Sequence, residues 1–139
     1  MSDPHDLKRF VDAQNPLFDQ VRAELKSGRK RGHWMWFMFP QLKGLGSSQM
    51  ATHYGIASRE EAQAYLNHPV LGPRLKELTG LVNNIEGSSI SEIMGYPDDL
   101  KFHSSMTLFS SVTTDNQVFQ EALRKYFDGE LDSRTLQLL

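Results

Sequence analysis

The chain centres on one run of large apolar residues, His33-Trp34-Met35-Trp36-Phe37-Met38-Phe39-Pro40-Gln41, which a turn, Leu42-Lys43-Gly44-Leu45-Gly46-Ser47-Ser48, follows. The run holds both tryptophans of the protein. It is apolar on every face, so it fits neither one helical stripe nor strict alternation, and it is far shorter than the ~20 apolar residues that span a bilayer. Pro40 closes the run, and the residue before a proline is pushed toward extended geometry. We therefore predict a buried extended segment, or a short strand, through the middle of the domain.

Polar groups interrupt this aromatic run. The His33 ring, the two indole N–H groups and the Gln41 amide all need hydrogen-bonding partners if they are buried. A polar rim on an aromatic wall is one ordinary way to build a ligand pocket. The residues of the run that we predict to contact a ligand are His33, Trp34, Trp36 and Gln41. The alternative is that the run is only core, which the type of its remaining residues favours.

The turn after the run is a candidate phosphate site. Its glycines and hydroxyls, Gly44, Gly46, Ser47 and Ser48, precede a predicted helix start. Free N–H groups and the helix dipole favour an anion at such a place. The turn lacks the complete G-x-G-x-x-G of dinucleotide-binding folds and the lysine of a P-loop. A plain turn followed by a helix cap therefore stays the alternative.

The rest of the chain is predicted to be helical. Start signals recur, such as the capping-box pattern from Ser58 to Glu61, and one segment carries an apolar stripe from Leu71 to Ile85. No Asn-Gly turn flanked by alternating residues predicts a hairpin. About eight helical segments follow from the periodicity. We predict a mainly α protein, a single compact multi-helix domain over residues 1–139.

The composition excludes several classes of protein. A length of 139 residues suits one domain, and a net charge of -2 with a pI near 6.2 argues against a dedicated nucleic-acid binder. The absence of cysteine excludes disulfides and thiolate metal sites. No two histidines have helical metal-site spacing, so we predict neither a metal nor a cofactor. No signal sequence or membrane span is visible, and we expect a cytoplasmic protein without a membrane partner.

One acidic pair is a candidate for catalysis. Asp98 and Asp99 stand just before a predicted helix, with Lys101 beside them. A simple helix cap is the common explanation for such residues. An acidic pair near an aromatic wall can also hold a ribose or act as a general base.

The chain contains, in this order, the motifs H-W-M-W-F-x-F-P-Q, G-L-G-S-S, Y-G-I, E-A-x-A-Y-L, H-P-x-L-G-x-R-L, D-D-L-K and S-S-M-T-L-F. By these motifs it is identified as a member of the small bacterial Domain of Unknown Function 1810 family. The resemblance runs from Leu7 to Leu138. That family has no settled activity, so membership alone implies little about function.

The family's fold is similar to that of the NADAR (NAD- and ADP-ribose-related) superfamily, the YbiA-like fold, which is mainly helical. Some NADAR proteins cleave N-glycosidic bonds in ADP-ribosyl or ribose-phosphate compounds. Their S-E-H-Y resembles the segment 51–54 here, their L-G-R resembles 71–74, and their D-x-L-K resembles 98–101. The resemblance implies ligand contacts for Tyr54, Arg74 and Lys101. The glutamate of S-E-H-Y falls at Thr52, so either Asp98 or Asp99 takes its acid/base role or the site binds without cleaving.

Together these observations predict a cleft that binds an ADP-ribose-like or ribose-phosphate metabolite, with cleavage of its N-glycosidic bond left open. The expected catalytic residues are Asp98 and Asp99. The expected ligand contacts are His33, Trp34, Trp36, Gln41, Gly44, Gly46, Ser47, Ser48, Tyr54, Arg74 and Lys101. The alternative function is a non-catalytic adaptor whose aromatic run is only core. An exposed apolar patch would favour the adaptor, and a deep pocket with a polar rim would favour the ligand site.

Overall fold

The structure, a computed structural model, describes residues 2–139. These residues form ten helices joined by short loops: α1 (Lys8–Gln14), α2 (Phe18–Lys26), α3 (Met35–Met38), α4 (Gln49–His53), α5 (Arg59–Asn67), α6 (Leu71–Asn83), α7 (Ile90–Met94), α8 (Asp98–Ser111), α9 (Gln117–Phe127) and α10 (Ser133–Leu138). Within the described residues there is no strand, and an isolated parallel bridge joins Leu42 to Ile56. The predicted mainly helical class is confirmed.

Side-chain caps set several helix starts. The hydroxyls of Ser48, Ser58 and Ser89 accept the backbone N–H three residues on, each at 3.1 Å, and Asp132 does the same for α10. Each cap satisfies one of the N–H groups that a helix leaves unpaired at its start. The predicted capping box at Ser58 forms only halfway, because the Glu61 carboxylate instead pairs with Arg9 at 2.8 Å.

The core lies between the two longest helices and their neighbours. α6 packs against α2, α5 and α9, while α8 packs against α5, α7, α9 and α10. The predicted stripe on α6 is buried as expected through Leu71, Leu75, Leu78 and Val82. Close packing of α5 on α6 depends on Gly72, because a Cβ there would lie 2.1 Å from the Leu66 carbonyl oxygen.

The aromatic run is helical, and the prediction of an extended segment is wrong. Met38 and Phe39 donate N–H bonds to the carbonyls of Trp34 and Met35, which closes the short helix α3. Pro40 restricts only the residue before it, and Phe39 accordingly leaves the helix with ψ of 74°. The run is apolar on every face because α3 is buried on nearly every face. Periodicity alone does not distinguish such a buried helix from a buried strand.

In the part of the chain that the structure describes, no helix combines the length and apolar character that crossing a membrane requires.

Candidate functional site

A cleft lies where three parts of the chain meet: the loop after α3, the N-terminal half of α8 and the start of α10. This α8–α10 cleft has a volume of about 260 Å³. Asp132 fixes α10 against α8, because its Oδ2 accepts from the Ser104 hydroxyl at 3.2 Å and its N–H donates to the Thr107 hydroxyl at 2.9 Å. The residues that line the cleft are Gln41, Leu45, Gly46, Pro97, Leu100, Lys101, His103, Ser104, Asp132 and Arg134.

A small side cavity adjoins the cleft and shares Gln41 and Lys101 with it. Its volume is about 10 Å³, roughly what one water-sized group needs. α3, α4 and the residues just after them supply the other walls, which are Met35, Trp36, Phe39, Ala51, Tyr54 and Gly55. The cavity is therefore a small recess, with room for about one atom, that adjoins the wider cleft.

Polar side chains with spare hydrogen-bonding capacity converge on the side cavity. The Trp36 Nε1 atom is buried and has no partner among residues 2–139. The Lys101 ammonium lies 5.2 Å from the centre of the Trp36 ring. Its ion pair with Asp98 is long, at 3.7 Å from Oδ1. Gln41 and Tyr54 line the same cavity. A buried indole N–H without a partner is costly, by about 1–3 kcal/mol, so this recess is suited to a group that accepts a hydrogen bond.

The wider cleft carries more positive than negative charge. Lys101 and Arg134 line it, together with His103, whose ring stacks on Phe127 at 4.0 Å. One carboxylate, that of Asp132, is also in the wall. Its Oδ2 already accepts from Ser104 and from the backbone and hydroxyl of Thr135. This charge balance favours an anion over a cation.

Trp34 does not face the cleft, contrary to expectation. Its side chain is fully buried, and its Nε1 donates to Glu24 Oε1 at 3.0 Å. The same oxygen accepts the backbone N–H groups of Arg31 and Gly32 at 2.7 and 2.9 Å. Burial alone would raise the pKa of Glu24, but these hydrogen bonds, with one from Gln20, outweigh it and lower the pKa to about 2. Trp34 is thus a core residue that ties the loop before α3 to α2.

Asp98 and Asp99 do not line the cleft or the side cavity. Asp98 Oδ2 forms an ion pair at 2.8 Å with Lys30, whose side chain is only 7% exposed. Asp99 Oδ2 accepts from the Ser91 hydroxyl at 2.7 Å. These contacts hold the start of α8 to α7 and to the loop before α3. Both carboxylates are engaged in structural bonds, and their assignment as catalytic residues stays a prediction.

The remaining predicted contacts lie elsewhere. His33, Gly44, Ser47 and Ser48 are exposed and outside both cavities. Ser48 caps α4, a helix of five residues, as the alternative interpretation of a plain turn and cap expects. Phosphate binding at this turn stays a prediction. Arg74 lies over the Phe18 ring at 4.7 Å, also away from the cleft. The predicted residues that the structure does bring together are Trp36, Gln41, Gly46, Tyr54 and Lys101.

Sequence reasoning missed the α10 side of the cleft. Neither Asp132 nor Arg134 is among the residues predicted to contact a ligand. No spacing rule connects these residues to Gln41 or Lys101, because tertiary packing alone brings α10 to α8. Across residues 2–139 no group of three His, Asp or Glu side chains is placed to hold a metal ion.

Comparison with known proteins gives two matches. A family model described as "Protein of unknown function (DUF1810)" matches residues 4–139. The crystal structure of the conserved hypothetical protein Rv1873 from Mycobacterium tuberculosis, at 1.38 Å, is 64% identical and superposes with a TM-score of 0.98. That match covers 99% of this chain and 98% of the other. No curated protein matches the chain significantly.

Proposed function

The chain belongs to the DUF1810 family, and we propose that its α8–α10 cleft binds a ribose-phosphate or ADP-ribose-like nucleotide metabolite in the cytoplasm. The observation that carries the proposal is the convergence of Trp36, Gln41, Tyr54 and Lys101 on one recess of the cleft, in which the Trp36 N–H lacks any partner in residues 2–139. We also propose that the fold is the YbiA-like fold of the NADAR superfamily. The ligands of that superfamily belong to this chemical class.

The charges of the cleft fit a phosphate group. Lys101 and Arg134 lie on different helices and line one cavity, and none of the ion pairs among the described residues involves Arg134. A guanidinium and an ammonium can share the oxygens of one phosphate, and such charge-assisted bonds are among the strongest in proteins.

The size and the apolar walls of the cleft limit the ligand. Leu45, Pro97 and Leu100 give the cleft an apolar side on which a sugar or base can lie. Its volume of about 260 Å³ is just below the ~300–1,000 Å³ that enclose drug-sized ligands. A ribose phosphate fills such a cleft, whereas a dinucleotide-like ligand would extend beyond it.

Binding is better supported than hydrolysis of the N-glycosidic bond. Cleavage through an oxocarbenium-like transition state calls for a carboxylate beside the sugar, by analogy with O-glycosidases. Asp98 and Asp99 are held by Lys30 and Ser91. Asp132 is the carboxylate that lines the cleft, and its Oδ2 already accepts from Ser104 and Thr135, so hydrolysis is the less supported part of the proposal.

The adaptor function is the second candidate, and one observation favours it. Tyr96 is 81% exposed and Leu100 is 53% exposed, four residues apart at the start of α8. Large apolar side chains that stay exposed are typical of protein contact surfaces. Leu100 also lines the cleft, so the two functions compete for the same surface.

A thermal-shift and calorimetric titration with ribose 5-phosphate, ADP-ribose, ribose and adenosine tests the proposal. We expect the phosphorylated compounds to raise the melting temperature and the neutral ones not to, because a ligand that binds only the native state stabilises it. Arg134→Ala and Lys101→Met should each weaken binding about tenfold or more, as for lost charged hydrogen bonds.

The matched control is Arg124→Ala, which removes an exposed arginine of α9 that lines a different groove. Equal stabilisation by ribose and ribose 5-phosphate would contradict the proposal, as would equal losses in the Arg124 and Arg134 variants. Release of free base from ADP-ribose or a nucleotide, followed by chromatography, decides between binding and hydrolysis.

A further inference from the structure

We infer that the side cavity receives one phosphoryl oxygen of the ligand, held by the Trp36 indole N–H and the Lys101 ammonium. The inference rests on the proposed function and assigns Trp36 the role of a hydrogen-bond donor that selects the ligand, instead of a stacking surface.

The first step is the chemistry of the recess. Trp36 Nε1 and Lys101 Nζ can only donate hydrogen bonds, and the Tyr54 hydroxyl and Gln41 amide can donate as well. No carboxylate lines the side cavity. Of the polar side chains that line the cavity, Trp36 and Lys101 can only donate hydrogen bonds, so a bare oxygen is favoured over an N–H or O–H group.

The second step is size. A volume of about 10 Å³ admits roughly one atom with its hydrogen-bonding shell. A phosphoryl group can place one terminal oxygen there while its phosphorus and ester oxygen stay in the α8–α10 cleft. The Lys101 ammonium, near the Trp36 ring and shared by both cavities, favours a charged oxygen over a carbonyl.

The third step is the contrast between the two tryptophans. Trp34 donates its N–H to Glu24, so its hydrogen-bonding capacity is used inside the protein. Trp36 sits two residues further along and has no protein partner within the described chain. The pair offers a matched experiment, since Trp→Phe at either position keeps an aromatic ring and removes the N–H.

The experiment titrates ¹⁵N-labelled full-length protein with ribose 5-phosphate, inorganic phosphate and ribose, and follows the two indole N–H signals by NMR. The Trp36→Phe variant identifies which signal is lost. We expect the phosphates to shift the Trp36 signal, while the Trp34 signal stays in place and ribose has no effect. Calorimetry should show about tenfold weaker binding of ribose 5-phosphate to Trp36→Phe and unchanged affinity in Trp34→Phe, which should instead melt at a lower temperature.

The results distinguish a failure of the inference about Trp36 from a failure of the proposed function. Stabilisation by ribose 5-phosphate with an unmoved Trp36 signal and full affinity in Trp36→Phe overturns the inference and leaves the proposed function standing. A Trp36 signal that ribose shifts as much as ribose 5-phosphate also overturns it. If no probe stabilises the protein or moves either indole signal, the proposed function and the inference both fail.

Discussion

Glu24 is the residue on which the loop before α3 depends. One carboxylate accepts hydrogen bonds from Gln20, Trp34 and the backbone of Arg31 and Gly32, while its side chain is almost wholly out of water. Four donors around one charge replace the hydration that burial removes. The free energy that holds Trp34 in the core therefore depends on Glu24 staying ionised.

This dependence gives a prediction about pH. The pKa of Glu24 is about 2 in the native state against an ordinary value of 4.5, so the ionised carboxylate stabilises the fold above about pH 5 and the stabilisation is lost as the pH falls toward 2. Glu24→Gln should cost at most about 3 kcal/mol at neutral pH. Urea unfolding of both proteins from neutral pH to about pH 3 should show the difference shrinking.

Glu60→Gln, at an exposed position of α5, is the control and should show no comparable change. A Glu24→Gln deficit that stays constant or grows on acidification would contradict the assignment.

The same residue explains why the sequence could not separate the two tryptophans. Trp34 and Trp36 lie in the same apolar run, and both are predicted to contact a ligand. The difference lies in Glu24, ten positions before Trp34 on another helix. Its role depends on the path of the intervening loop, and nothing local in the sequence encodes that path.

At the scale of elements, α6 contains two glycines in opposite situations. Gly72 lies against the backbone of Leu66, whereas Gly80 has no atom within 4 Å of the place where a Cβ would be. The first glycine permits α5 and α6 to meet closely, and the second only loosens the helix, since glycine in a helix interior costs about 1 kcal/mol relative to alanine.

Gly72→Ala and Gly80→Ala should therefore change stability in opposite directions. Gly80→Ala should raise the free energy of unfolding by about 0.5–1 kcal/mol. Gly72→Ala should lower it by about 1–3 kcal/mol or more, because an overpacked contact with backbone cannot relax as a flexible side chain can. Chemical unfolding of the two variants measures both, and a stabilised Gly72→Ala would show that α5 can move away from α6 at little cost.

Elements were predictable where a local signal marks them. The cap at Ser58 satisfies an N–H group only three residues away, so sequence alone located the start of α5. The helix α3 was missed because four residues show no periodicity, and Pro40 at its end favoured an extended chain. The predicted capping box from Ser58 to Glu61 is incomplete because of a distant contact. The Glu61 carboxylate accepts from Arg9, which is 52 residues away in sequence.

At the scale of the whole molecule, one buried apolar cluster runs through every helix from α1 to α9 except α4. Leu75 of α6 is 1% exposed and lies within it. A single core predicts that the chain unfolds as one cooperative unit, as small domains generally do.

Leu75→Ala should lower the free energy of unfolding by about 2–5 kcal/mol, because it removes buried methyl groups and leaves a cavity. The variant should still unfold in a single transition. Circular dichroism and calorimetry should give the same midpoint for it. Glu121→Ala, at an exposed position of α9, should change stability by about 0.5 kcal/mol or less. Two resolved transitions in the Leu75 variant would mean that residues 1–139 hold more than one folding unit.

The cleft belongs to this largest scale, which is why only part of it was predicted. Trp36, Gln41 and Gly46 were identified from local chemistry and Lys101 from the superfamily resemblance, but α10 completes the wall with Asp132 and Arg134. A terminal helix can pack at many places on a helical domain, and its position follows from the packing of the whole.

Because the two indoles lie in different surroundings, they also serve as two separate fluorescence probes. Fluorescence of tryptophan responds to the polarity and charge around the ring. Trp34 is sealed in the core with the Lys30 ammonium 5.0 Å from its ring, so its emission changes when the protein unfolds. Trp36 lies beside the recess under Lys101, so its emission responds to what occupies that recess. Each Trp→Phe variant leaves one of these two reporters, and folding and ligand occupancy can then be followed independently without an added dye.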